Sequence, residues 1–151
     1  MSQLNPVNKF CCLQEICESN YRKLLRLVPR LSCLERRSVA SLGGKPTLHL
    51  RLVEKARYTV TLELSYCFQH GPRLLFEPKL VLKAYLDAGM VEVLSDGERP
   101  RQALKTPVDR EVLEHKWLLN YFLDKWLDHC LYHGYRFAAV DDHSKTVYAD
   151  V

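Results

Sequence analysis

The first sustained pattern runs from Leu13 to Val28. At about 100° per residue, Leu13, Ile16, Cys17, Leu24, Leu27 and Val28 share one side of a helical wheel, and Glu15, Glu18, Arg22, Lys23 and Arg26 share the other. Acids come early and bases late, as a helix dipole favours, and Pro29 stops the run. The pattern predicts an amphipathic helix. Asn20 lies in the middle of its apolar side, so the amide is expected to tie the helix to a nearby backbone group, with Tyr21 at the core edge. Arg30 to Pro46 has no sustained period, contains Gly43-Gly44 and reads as a connecting loop.

From Thr47 the period changes to two. Leu48, Leu50 and Leu52 alternate with His49, Arg51 and Val53; then Tyr58, Val60, Leu62, Leu64, Tyr66 and Phe68 alternate with Thr59, Thr61, Glu63, Ser65 and Cys67. After Gly71-Pro72, Leu80, Leu82, Ala84 and Leu86 form a third apolar row, with Pro78 either on an edge or just ahead of regular pairing. Asp87-Ala88-Gly89 is a hairpin signal, and Met90 to Leu94 is the fourth predicted strand. Lys55-Ala56 lacks a residue suited to positive φ, so that turn should exceed two residues.

Ser95 to Lys105 is a polar loop. Pro107, after Thr106 as a cap, opens a second helix expected to reach His133 or Gly134, and Phe137 to Val151 is a short tail that caps an edge or frays. The expected architecture is α+β: an N-terminal helix, a four-stranded antiparallel meander and a C-terminal helix, both helices packed on one sheet face. Residues 1–151 are read as a single domain with a core over about residues 10–136.

On the second helix, Leu119, Phe122, Leu123, Trp126 and Cys130 form the main apolar stripe. Trp117, Tyr121, Leu113 and Leu131 lie on another side, among Asp124 and Asp128. That second surface is expected to be covered by the first helix or the tail, or else to meet a partner protein or another copy of the chain, which makes Trp117 and Tyr121 the candidate interface. His129 and His133 flank the core stripe on one side. The wheel separates both from Asp124 and Asp128, so these four do not form one metal site. His133, just ahead of Gly134, is expected to cap the helix end.

At 151 residues, 47% hydrophobic and 26% charged, the chain has the makings of one ordinary core. No segment reaches the length and apolarity of a membrane span and no leader is visible, so a cytoplasmic location without membrane association is expected. The 6 cysteines show no CxxC spacing and read as free thiols. A net charge of +4 is modest; Arg22, Lys23, Arg26, Arg30, Arg36 and Arg37 read as a solvated face, and nucleic-acid binding is only a weak rival. There is no GxGxxG, P-loop, GxSxG or HExxH, and no cofactor, metal or catalytic residue is assigned.

In a meander the first and third turns emerge at the same end, which brings Glu54, Lys55, Arg57 and Tyr58 near Asp87 and Glu92. This loop end is the candidate ligand or partner site. It is expected to be either a solvated network of charges or a recognition point, and on the wet face Arg51, Glu63, Lys83 and Glu92 can pair across strands.

ICESNYRKLLRLVP, LVEKARYT, YLDAGMVEV and NYFLDKWLDHCLYHG, in this order, resemble the YqiB-like family of uncharacterised bacterial proteins. Positions that match its pattern include Cys17, Asn20 and Tyr21, then Glu54, Arg57 and Tyr58, then Asp87 and Glu92, then Asn120, Trp126 and Cys130; His129 is not among them. The resemblance implies no particular activity. The leading expectation is a non-enzymatic binding or interaction module, and the rival is a small-molecule enzyme at Glu54, Arg57 and Asp87.

Overall fold

The structure, a computed structural model, describes residues 6 to 96 and 110 to 137, without the side chains of residues 6 to 11, 110 and 112. Helix α1 (Pro6–Leu27) leads through a 3-10 turn (Leu31–Cys33) to strands β1 (Arg37–Ala40), β2 (Thr47–Lys55), β3 (Thr59–His70), β4 (Arg73–Tyr85) and β5 (Met90–Ser95). Helix α2 (Arg110–His133) follows. The strands form one antiparallel sheet in the order β1-β2-β3-β4-β5.

Register aligns the apolar rows. Leu50, Leu64 and Leu80 stand side by side, as do Leu52, Leu62, Leu82 and Val93, and then Val60, Ala84 and Val91. All but Leu52 are buried, and they share one core cluster with Leu24 and Leu27 of α1 and Leu123, Trp126 and Leu127 of α2. Each fully buried leucine contributes about 1.5–3 kcal/mol by leaving water. Period-two spacing on the strands and helical spacing at both ends thus converge on one interior.

The sheet has five strands where the alternation predicts four. The additional one, β1, lies inside the stretch read as a loop. Val39 and Ala40 of its 4 residues are buried, but as neighbours they point to opposite faces, so only Ala40 joins the core row and no period of two stands out. The turn after it is made at Gly44, with φ of 76° and the Lys45 N–H bonded to the Leu42 carbonyl at 3.2 Å.

Pro78 lies within β4 rather than before it. The register of β4 against β3 shifts between Ser65 and Cys67, next to the proline, and β5 pairs with β4 only from Val81 onward. A residue without an N–H is tolerated at such a bulge with one open side. The first turn holds residues 56 to 58, longer than two as its sequence requires, and closes with the Ala56 N–H on the Thr59 carbonyl at 2.9 Å.

α2 ends in a Schellman arrangement: Gly134, at φ 92°, donates to the Leu131 carbonyl at 3.1 Å and Tyr135 to the Cys130 carbonyl at 3.0 Å. The cap expected of His133 is therefore supplied by backbone groups. Beyond it the Phe137 N–H bonds the Leu27 carbonyl at 2.8 Å, fastening the chain to the end of α1. The predicted helix start at Thr106 and Pro107, and the tail past Phe137, lie outside the described residues.

Candidate functional site

Three places carry the residues singled out by sequence. At the loop end, the Leu86 N–H bonds the Tyr58 carbonyl at 2.8 Å, so the two turns do meet. Their side chains point to water. Glu54, Arg57, Tyr58 and Asp87 are exposed; the Arg57 guanidinium lies 5.2 Å from the centre of the Tyr58 ring, and Asp87 accepts from the Ala88 N–H at 2.9 Å. Among the described residues no ion pair joins Glu54, Arg57 and Asp87. Across the wet face, Arg51 and Glu63 pair at 3.2 Å.

Glu92 belongs to a different group, at the outer edge of β5. Its carboxylate accepts from the Tyr85 hydroxyl at 2.6 Å and from the Lys116 ammonium at 3.3 Å. Burial, with this carboxylate beside it, raises the Tyr85 hydroxyl above its ordinary range. Next to it α2 reaches the edge strand: Asn120, 1% exposed, accepts the Val93 N–H at 2.9 Å and donates to the Lys116 carbonyl at 2.8 Å. An otherwise open strand edge thereby gains a partner from a side chain.

α1 locks onto the same point. Asn20, fully buried, donates to the Asn120 carbonyl at 3.2 Å, while its own Oδ1 has no partner. The backbone tie expected of Asn20 is this bond. Cys17 approaches the Asn120 side-chain oxygen at 3.8 Å, and burial, reinforced by the charge of Glu92, pushes its thiol up to about 12. A thiol held protonated in this way is a packing group, not a nucleophile. The Tyr21 ring lies 3.7 Å from where a side chain on Gly89 would begin, so the third turn fits against α1.

One turn further along, Lys23 binds Asp124 at 2.7 Å and Asp128 at 2.8 Å, and the Ser19 hydroxyl donates to Asp124 at 2.9 Å. Burial alone would lower the Lys23 pKa, but the bonds to Asp124 and Asp128 outweigh it and raise it. The two aspartates are thus committed to α1. Lys23 is withdrawn from the basic run, leaving Arg22, Arg26, Arg30, Arg36 and Arg37 exposed.

On the other side of α2, His129 and His133 rings sit 4.3 Å apart, centre to centre. Burial and the nearby charges of Lys45 and His129 lower the His133 pKa. Among the described residues no group of three or more His, Cys, Asp or Glu side chains could hold a metal ion.

The third place is the outward surface of α2. Trp117 stacks on Tyr121 with ring centres 5.1 Å apart and planes within 6°. The indole N–H of Trp117 is buried without a hydrogen-bond partner, and Lys125 stands 5.2 Å over the Tyr121 ring. Leu118 (55%), Phe122 (44%), Tyr121 (37%) and Tyr132 (86%) are all exposed. Phe122, expected in the core stripe, is outside it because α1 claims the side of α2 that carries Leu113, Asn120 and Asp124 and so turns the buried arc toward itself.

Of the seam of Cys17, Asn20, Glu92, Lys116 and Asn120, all but Lys116 stand among the positions that match the family pattern, but the sequence expectation does not bring them together. One signal was available: Asn120 shares a helix side with Leu113, Leu127 and Leu131, where an amide must be satisfied internally.

No helix among the described residues is long and apolar enough to cross a membrane. No solved structure matches the chain. It is 28% identical over 127 residues to the uncharacterized protein YqiB of Escherichia coli K12, covering 81% of this chain and 88% of that protein. The YqiB proteins of the O6:H1 and O157:H7 strains match to the same extent. A family described as "protein of unknown function (DUF1249)" matches residues 23–136, and the chain belongs to that family.

Proposed function

We propose that this chain is a protein-interaction module that docks another protein on the outward surface of α2. The observation that carries the reading is the group of exposed apolar side chains Leu118, Tyr121 and Phe122, with Tyr132 further along the same side of the helix, backed by the Trp117 ring stacked on Tyr121. Aromatic rings concentrated on one exposed face are the composition of binding surfaces, because they bring large contact area with little rotamer entropy to lose. The reading takes both helices to lie over the apolar face of the sheet, which leaves the far side of α2 turned outward. It takes the protein to act in the cytoplasm, in support of which the described cysteines Cys12, Cys17, Cys33, Cys67 and Cys130 are all free.

The rival, an enzyme acting on a small molecule at Glu54, Arg57 and Asp87, has less in its support. Those side chains are exposed, and Glu92, which would complete the group, is engaged by Tyr85 and Lys116.

The test is affinity capture from a lysate of the source cells, comparing the native chain with Phe122→Glu and, as a control remote from the stripe, Arg57→Glu. The reading expects specific captured protein to be lost with Phe122→Glu and kept with Arg57→Glu. Equal capture by all three would refute it.

A further inference from the structure

We infer that the arm formed by the end of β3 and the start of β4 pairs with the same arm of a second copy of this chain, β4 against β4 in antiparallel, about a two-fold axis at Leu75. The surface is a strand edge and takes in no part of α2.

β4 runs for 13 residues, and its neighbours do not cover all of it. β2 pairs with β3 only as far as Thr47 and Cys67, and among the described residues β5 pairs with β4 only from Val81. Phe68 to His70 and Arg73 to Leu75 therefore run on as a two-stranded ribbon, which by itself is marginally stable in water. Its β4 side carries Leu74 (53%), Leu75 (37%) and Phe76 (38%), three successive exposed apolar residues on an open edge. Strand edges are guarded against pairing by charge or by proline, and here the prolines, Pro72 and Pro78, stand only at the two ends of the run.

The backbone points to a strand as the occupant. Residues 71 and 72 make a two-residue turn with Gly71 at φ 62°, so the closing pair, His70 and Arg73, exchanges bonds across the hairpin. Alternation then gives Arg73 and Leu75 to β3 and turns the N–H and C=O groups of Leu74 and Phe76 outward. An added antiparallel strand centred on Leu75 satisfies both residues at once.

The side chains point to a second copy. Every residue from Pro72 to Pro78 has its counterpart across that axis with none omitted: Leu74 meets Phe76 of the other copy, Arg73 meets Glu77, and the prolines, which have no N–H to offer, end the pairing on both sides. Arg73 and Glu77 enter no ion pair among the described residues, so each can serve the other copy, twice over by symmetry. A parallel pair would set arginine against arginine and glutamate against glutamate. Phe76 is already held, with the His49 ring edge-on at 5.4 Å and the Lys79 ammonium 5.6 Å from its centre, so it has little freedom left to lose on contact.

A pairing this short covers less than the roughly 800 Å² per partner of a standard stable interface. The dimer is therefore reversible, with a Kd on the order of 10–100 μM.

Sedimentation of the full chain from about 1 μM to about 1 mM brackets that value, with mass expected to rise from one chain to two. Leu74→Lys, at an exposed position that leaves the fold intact by circular dichroism, is expected to keep the chain monomeric, and Phe122→Glu to leave dimerisation unchanged. Arg73→Glu makes both cross-copy pairs repulsive, as does Glu77→Arg, and each is expected to weaken the dimer about tenfold or more. Two combinations should restore it. One is the double variant Arg73→Glu with Glu77→Arg, in which the pairs re-form with signs exchanged; the other is an equimolar mixture of chains carrying Arg73→Glu with chains carrying Glu77→Arg.

A protein monomeric at every concentration overturns the inference, as does a dimer that survives Leu74→Lys or is lost with Phe122→Glu. Single charge reversals that dimerise as the native chain does, or a double variant and a mixture that both stay monomeric, overturn it as well. A mixture that pairs while the double variant does not would mean parallel strands and would refute the axis at Leu75.

Discussion

The two asparagines at the helix seam are chemically alike and equally buried, yet their replacement by leucine should differ sharply in cost. Asn120→Leu removes the acceptor of the Val93 N–H, and that group, on an edge strand now covered by α2, is left without a partner. A buried donor so orphaned costs about 1–3 kcal/mol. The Lys116 carbonyl, which also loses a contact, keeps its bond within the helix and adds little. Asn20→Leu removes one donor from the Asn120 carbonyl, which likewise keeps its helical bond, and it eliminates an Oδ1 that has no partner at present. The loss and the gain nearly offset, so this variant should stay within about 1 kcal/mol of the native chain.

Urea unfolding followed by the fluorescence of buried Trp126 reads both. With a slope of about 2 kcal/mol per molar, loss of about 2 kcal/mol lowers the midpoint by about 1 M for Asn120→Leu, while Asn20→Leu moves it by less than half of that. Equal losses in the two variants, or an unchanged midpoint for Asn120→Leu, would refute the account of the seam as a cap on β5.

Lys23→Met should destabilise by about 1–2 kcal/mol, because it leaves Asp124, whose side chain is only 12% exposed, with the Ser19 hydroxyl and the more distant Lys125 alone, while Asp128→Asn, at 49%, should lose under about 1 kcal/mol in the same urea assay. Among the described cysteines, Cys33 should react with a thiol reagent at once, and Cys17, Cys67 and Cys130 only on unfolding, which a time course with and without denaturant measures. His49 is held below its ordinary pKa by burial and by the charge of Arg37, so the unfolded chain takes up its proton first. Its stabilising contribution is full above pH ~6.5 and is lost as pH falls through the lowered value. Thermal midpoints of the native chain and His49→Gln, compared between pH 7.5 and pH 5, should therefore converge on acidification. Gly89→Ala should lower stability by about 1–2 kcal/mol because φ is 68° there, with the Tyr21 ring at ordinary contact distance.

Much of this architecture is written in local periodicity. β2 to β5 announce themselves because each alternates over enough residues for a period of two to show, and α1 because its two sides differ in charge as well as in hydrophobicity. β1 escapes because it is brief and half polar. What no local pattern carries is the contact between elements. The wheel of α2 shows apolar residues on several sides and does not say which side α1 will take, so Phe122 is placed inside and the Asn120 seam is overlooked. Glu92 shows the same limit: strand alternation puts it opposite Lys83, and only the approach of α2 makes Lys116 its partner. A meander dictates that the first and third turns share one end of the sheet, whereas the direction of the side chains there depends on turn geometry that spacing does not encode.

Every strand pairs with a neighbour in sequence, but Asn20 must wait for Asn120. At ribosomal rates of about 5–20 residues per second, that wait lasts roughly 5–20 s. Throughout it the nascent ribbons can zip while the leading helix has no companion for its amide and the last strand has no lid. The molecule closes like a clasp whose two halves are made first and last, so a chain halted before the final helix leaves greasy surface and an unpaired border to whatever chaperone or neighbour is nearby.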